Sequence, residues 1–270
     1  MAGMDRPQGV VIVTGGAGGM GSATAREFVA EGWKELLLCD MSADRLEAVA
    51  APLREQGAKV AVLAGDIADP EYGSQLVAAL KGRPIAALVH TAGLSPTMAE
   101  PERILLVNLD ATVRLVEAIR DHMAPGSAAV LYASNSAHMP MPPEAAAAFW
   151  APLPEGGALA LAHLCPTPEM AYPMSKIGVR ALVKREAKSF GLRGARLVSV
   201  SPGAIDTAMT QGESASSPIV GKMIEGSAIG RIGRPEELAA VSVFLCSPKA
   251  GYVAGTDWLV DGGQIAGMGF

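Results

Sequence analysis

With 270 residues, half of them apolar, the chain can bury a large core, and one domain of this size is common for α/β folds. A net charge of -5 without any basic block excludes nucleic acid as a partner, because phosphate binding needs clustered Lys and Arg. Cys39, Cys165 and Cys246 are widely spaced, and His90, His122, His138 and His163 form no ligand pattern, so neither a disulfide framework nor a metal is expected.

In chain order, apolar runs rich in Val, Ile and Leu predict strands over 10–14, 35–40, 59–64, 85–91, 128–134, 196–201 and 258–261. Most are apolar on both faces, as strands buried between two helical layers are. Helices are predicted between them over 21–32, 42–57, 71–80, 102–122, 174–191 and 235–247. The alternation implies a Rossmann-type, doubly wound, seven-stranded parallel sheet with helices on both faces, in a single domain over 1–270. Two segments break the rhythm. Residues 139–167 are rich in Pro and Ala, and 204–230 are rich in Ser, Gly and Met. Both follow the C-terminal end of a strand, where ligands bind in open α/β sheets, so both are expected to wall the substrate pocket. The first eight residues lack an apolar signal region and no run reaches the ~18 apolar residues of a membrane span, so a cytoplasmic location is expected.

The first strand runs into Thr14-Gly15-Gly16-Ala17-Gly18-Gly19-Met20-Gly21 and then a helix. Glycines let the backbone approach a pyrophosphate, and the helix N-terminus offers free N–H groups to it. The run satisfies G-x-G-x-x-G through Gly16, Gly18 and Gly21, and T-G-x-x-x-G-x-G through Gly15, Gly19 and Gly21. No Lys follows in a G-K-[ST] ending, which disfavours a nucleoside-triphosphate loop. Asp40 ends the second strand. A carboxylate there accepts hydrogen bonds from ribose hydroxyls and repels a 2′-phosphate, and Met41 and Ser42 supply no cation. NAD is therefore expected over NADP.

Tyr172-Pro173-Met174-Ser175-Lys176 places Tyr and Lys four residues apart, on one helix face. A phenol has an ordinary pKa near ~10, too high for a base at neutral pH. A nearby ammonium and an oxidised nicotinamide both stabilise the phenolate. The pair thus suits proton exchange in alcohol–ketone interconversion.

With these motifs the chain resembles the short-chain dehydrogenase/reductase family in its compact form, from Val10 to Gly263. The resemblance implies roles for further residues. Asp66 and Ile67 would contact the adenine. Thr91, Ala92 and Gly93, after His90, resemble the family's N-N-A-G. Pro202, Gly203, Ile205 and Thr207 would hold the nicotinamide carboxamide, with Gly15, Gly19, Met20, Gly21, Asp40 and Met41 around the diphosphate and adenosine. Asn108 sits where the family has its catalytic Asn and would hold a relay water. Ser134, in Tyr132-Ala133-Ser134-Asn135-Ser136, matches the Ser that hydrogen-bonds the substrate oxygen, with Ser136 as the fallback. Tyr172 would exchange the substrate proton, and Lys176 would lower its pKa and bind the nicotinamide ribose. The family works as homo-oligomers, so a homodimer or homotetramer is expected.

The chain departs from the compact pattern in the insert at about 139–170. This insert, with Ser136-Ala137-His138 before it, resembles the bacterial 3α-hydroxysteroid dehydrogenase/carbonyl reductase branch, and an inserted helix there would block a tetramer surface. Met139, Met141, Phe149, Trp150, Met209 and Met223 are expected to line an apolar substrate pocket. The substrate expected is a hydrophobic secondary alcohol or its ketone, of steroid, terpenoid or aryl type. Three alternatives remain. An enoyl reductase would space its Tyr and Lys further apart, and Val179 stands at seven after Tyr172. A sugar-nucleotide epimerase would carry a larger C-terminal substrate domain. An NAD-binding sensor or scaffold without turnover would generally lose the Tyr or Lys.

Overall fold

The computed structural model describes residues 6–208, 210, 221 and 224–269. Seven strands form one parallel sheet in the order β3-β2-β1-β4-β5-β6-β7. They are β1 (Val10–Thr14), β2 (Glu35–Asp40), β3 (Lys59–Ala64), β4 (Ile85–His90), β5 (Met123–Tyr132), β6 (Arg196–Pro202) and β7 (Asp257–Val260). The strand order reverses between β1 and β4, which opens a crevice beyond the strands' C-terminal ends. The strands β1 and β4 are buried throughout, as their apolar runs require, and β6 is buried as well although Arg196, Ser199 and Ser201 interrupt its apolar run. The outer strand β3 is not: Lys59, Ala61 and Ala64 are exposed on it.

Helices cover both faces. Phe28, Leu46, Leu53, Leu238 and Val243 build the core on the face of α1 (Gly19–Ala30), α2 (Ala43–Glu55) and α8 (Pro235–Cys246). Leu76, Leu105, Leu115, Ile119, Val179 and Phe190 build the other, beneath α3 (Tyr72–Ala79), α4 (Pro101–Leu105), α5 (Ala111–Arg120) and α7 (Pro168–Gly191). Ser42 caps α2, its Oγ accepting from Arg45 N at 3.4 Å.

Four elements depart most from the sequence expectation. α1 begins at Gly19 rather than 21, because Gly18 already turns the chain as its N-cap. The single helix expected over 102–122 is α4, a π-helical turn over Leu106–Asp110, and α5. β5 starts at Met123, through Pro125 and Gly126, which read as a turn. α7 starts at Pro168, not 174, and runs through Pro173. The proline only deprives the Glu169 carbonyl of its N–H partner. The 139–170 insert forms α6 (Pro143–Trp150) and a 3₁₀ segment over Gly157–Leu164, packed on α4, the π turn and α7. Asp110 of the π turn fixes it: its Oδ1 accepts from Ala158 N at 2.7 Å. Among the described residues no helix is long and apolar enough to cross a membrane.

Candidate active site

The glycine run makes a cradle at the crevice. Gly15 has φ +69°, and a Cβ there would meet Thr91 Oγ1 at 2.6 Å and Ala92 N at 2.8 Å. A Cβ on Gly21 would run into the Gly15 carbonyl. Thr91 ties the two strands together, its Oγ1 donating to Thr14 O at 2.7 Å. Gly19 faces Thr207, so the segment after β6 closes over the start of α1. These close approaches leave the backbone bare beside the α1 N-terminus, and that fits a dinucleotide's diphosphate.

At the adjacent corner, Asp40 Oδ2 accepts from Ala17 N at 3.0 Å and Oδ1 from Met41 N at 2.8 Å. Each oxygen keeps a second lone pair for a ribose hydroxyl. Two arginines missed by motif reading stand nearby. Arg45 donates from Nη2 to the Ala17 carbonyl at 3.0 Å, so a cation does lie at this corner, one helical turn beyond Met41 and Ser42. Arg103 Nη2 pairs with Asp66 Oδ2 at 2.6 Å, while Ala68 N donates to Asp66 Oδ1. Burial opposes ionisation of Asp66, but these bonds and the Arg103 charge outweigh it and hold the carboxyl below its usual range. Neither arginine follows a motif; only the return of α2 and α4 to the sheet edge brings them in.

Asn108 lies in the π turn, a distortion that recurs at functional sites. Its side chain clamps Leu94, with Nδ2 donating to Leu94 O at 2.9 Å and Leu94 N donating to Oδ1 at 2.8 Å. Its backbone carbonyl accepts from Thr112 Oγ1 at 2.8 Å. His90 Nε2 lies 2.9 Å from Thr112 Oγ1 and Nδ1 lies 2.6 Å from Thr14 Oγ1. Since Thr112 donates to Asn108, His90 must donate from Nε2 and accept at Nδ1. Burial, then the Lys176 charge, pushes the His90 pKa down to about 3, so the ring is neutral and structural.

Tyr172 and Lys176 share one face of α7. Lys176 Nζ is 5.7 Å from the Tyr172 ring centroid and donates to the Tyr132 carbonyl at 3.0 Å. It also lies 3.4 Å from where a Cβ on Gly93 would stand, with Asn108 Oδ1 at 3.1 Å from the same point. Gly93, Asn108 and Lys176 therefore converge. Burial of the ammonium pushes the Lys176 pKa down to about 8.

Ser134 follows β5 as N-cap of a 3₁₀ turn over Asn135–His138. Its Oγ accepts from Ser136 N at 3.1 Å and from Ser136 Oγ at 3.0 Å. Asn135 Nδ2 donates to Gln264 Oε1 at 2.9 Å, and that oxygen also accepts from Ala204 N, next to Pro202 and Gly203. Ile205 bridges to Gly233. The chain thus brings the expected residues after β1, β2, β4, β5 and β6 to one edge of the sheet.

Beside Tyr172 lies a cavity of about 510 Å³. Met139, Met141 and Pro173 give it apolar walls, and Ser136 and Glu169 contribute the polar groups besides Tyr172. Ser136, rather than Ser134, stands on its wall. Two aromatic expectations are corrected. Phe149 is wholly buried in the core beneath α6, and Trp150 faces outward, with Arg180 and Lys184 over its ring at 5.9 and 5.1 Å. Neither lines the cavity, because α6 turns its apolar face onto α7. Met209 and Met223 lie outside the described residues.

The family model for short chain dehydrogenases matches residues 9–147, and one described as enoyl-(acyl carrier protein) reductase matches 159–264. The cis-4-hydroxycyclohexanecarboxylate dehydrogenase of Sinomonas cyclohexanicum is 30% identical over 95% of this chain and 96% of its own length. The 3beta-hydroxysteroid dehydrogenase 1 of Eggerthella lenta is 27% identical over 96% and 95%. Among solved structures, a short-chain dehydrogenase/reductase from Serratia marcescens superposes with TM-score 0.76 at 26% identity, covering 96% of this chain and 98% of that one. The chain belongs to the short-chain dehydrogenase/reductase family. Its relatives include dehydrogenases of hydroxyl-bearing substrates, and the family uses a nicotinamide cofactor.

Proposed function

We propose that the protein is an NAD-dependent oxidoreductase that interconverts a hydrophobic, cyclic secondary alcohol and its ketone. The observation that carries this is Tyr172 on the wall of an apolar cavity, with the Lys176 ammonium buried behind it. When bound, the nicotinamide supplies or accepts the hydride. Tyr172 Oη takes the hydroxyl proton in oxidation and returns it in reduction. Lys176 stabilises the phenolate by its charge and holds the nicotinamide ribose. Asn108 fixes the π turn and links Lys176 to solvent through a water. Ser134 steadies the charge on the substrate oxygen, and Ser136 relays to it from the cavity wall.

The cyclic, apolar substrate class draws support from Met139 and Met141 and from the names of the two relatives, whose substrates carry a ring hydroxyl. Reduction of an enoyl thioester is the second reading, raised by the family description over 159–264. The position seven after Tyr172 holds the buried, uncharged Val179, which favours the first. The serines can be separated by mutation. Ser134→Ala is expected to lower kcat by about 10²-fold and Ser136→Ala by less, since Ser134 receives both bonds; the reverse order would move the role to Ser136.

The cofactor preference rests on Asp40. A 2′-phosphate against this carboxylate costs several kcal/mol, so kcat/KM for NAD is expected to exceed that for NADP by about 100-fold. In Asp40→Ser, Arg45 is left unopposed and the ratio should collapse toward unity. Comparable values for the two cofactors in the wild-type chain would refute the assignment.

A further inference from the structure

His138 takes no part in the chemistry above, yet its ring reaches a partly buried charged cluster beneath the catalytic turn. The centre of that cluster is Asp257, at the start of β7. Its Oδ2 pairs with His138 Nε2 at 2.8 Å and accepts from Ser201 Oγ at 2.8 Å, and its Oδ1 accepts from Ser199 Oγ at 2.5 Å. Arg180 Nε lies 3.5 Å from the same Oδ2, and Arg180 Nη1 donates to the Ala137 carbonyl at 2.5 Å. Burial works against the Asp257 charge, but the bonds from His138, Ser199 and Ser201 and the Arg180 charge overcome it and hold the carboxyl below its usual range.

The placement matters more than the charges. Arg180 is four residues beyond Lys176 and eight beyond Tyr172, on the same face of α7. His138 and Ala137 end the turn that begins at Ser134, and Met139 next in line is cavity wall. Ser201 precedes Pro202 and Gly203. One carboxylate therefore ties together the serine turn, the proximal cavity wall, the Tyr/Lys helix and the C-terminal end of β6. Its partners come from positions 119, 58 and 56 residues away in the chain.

We propose that Asp257, His138 and Arg180 are positioning residues for the reaction proposed above, setting the serine turn and the Met139 wall against Tyr172. The inference rests on that functional reading. His138 is partly exposed, so its removal should leave the fold intact, while a displacement of the turn by about 1 Å can cost 10²-fold in rate.

The test uses the full chain with NAD⁺ and three probes: cyclohexanol, indanol and a hydroxysteroid. His138→Ala is expected to lower kcat by about 10- to 100-fold while the Kd for NADH, read by fluorescence, stays within about twofold. His138→Gln should recover kcat to within about threefold of wild type, because its amide can donate to Asp257 from the place of Nε2. An active wild type with an unimpaired His138→Ala overturns the inference alone. A His138→Gln as slow as His138→Ala overturns it too, since bulk packing and not the bond would then matter. A wild type that binds NADH and oxidises none of the probes removes the functional reading, and the inference falls with it.

Discussion

Replacing Tyr172 with Phe should leave a folded protein that binds NADH normally and has lost nearly all turnover. The substitution deletes one oxygen at the cavity wall and keeps the ring in the lining that Pro173 and Met139 share. General acid–base catalysis contributes about 10²- to 10⁴-fold, and the loss in kcat should fall in that range. KM for the alcohol should change little, because the hydroxyl acts on the proton in flight more than on ground-state binding. A variant retaining a tenth or more of wild-type kcat would show that another group carries the proton.

Lys176→Met is expected to separate activity from stability. The ammonium is 5% exposed and its pKa is pushed from 10.5 to about 8 by burial. That depression corresponds to roughly 3 kcal/mol of unfavourable free energy at neutral pH. Its bond to the Tyr132 carbonyl returns about 1–3 kcal/mol, which the variant forfeits. Lys176→Met should therefore be at least as stable as wild type at pH 7, by up to about 2 kcal/mol. Its kcat should fall by about 10²-fold or more, since the phenolate loses its neighbouring charge. The sign of the pH dependence follows from proton counting. Between pH 8 and 10.5 the unfolded chain binds a proton at Lys176 that the folded chain has released. Stability from this group therefore rises with pH across that window, and the gap between wild type and variant closes. Denaturant unfolding at pH 7 and pH 10 checks both points. A variant markedly less stable than wild type at pH 7 would show that the bond to Tyr132 outweighs the cost of burying the charge.

The parts legible from sequence are those set by local pattern. Strands over 10–14, 35–40 and 59–64 were readable to the residue, because each apolar run ends abruptly in Thr14-Gly15, at Asp40 or in Ala64-Gly65. Other boundaries were hidden by residues whose local meaning is ambiguous. Pro173 reads as a helix start, yet Pro168 and Glu169 already open α7, and the packing of α6 on that helix holds it through the proline. The π turn around Asn108 has no compositional mark; it depends on where the backbone carbonyls point. Phe149 and Trp150 are adjacent and both aromatic, but they project about 100° apart on a helix, so one fills the core and the other covers Arg180 and Lys184. The motif residues at the strand ends could be named from the sequence because each follows a strand whose end is visible. Arg45, Arg103, Arg180 and Asp257 could not, because their contacts join positions 28 to 77 residues apart or, for Asp257 with His138, 119 apart.

The central claim is hydride transfer between a secondary alcohol carbon and the nicotinamide, with Tyr172 moving the proton. It is tested most directly with cyclohexanol deuterated at the carbinol carbon, NAD⁺ and the wild-type chain, reading the mass of the reduced nicotinamide and the ketone formed. The account predicts one deuterium in each reduced nicotinamide, an equal amount of ketone, and loss of both products in Tyr172→Phe. Unlabelled reduced nicotinamide, or NADH binding with no ketone across cyclohexanol, indanol and hydroxysteroid, would contradict it.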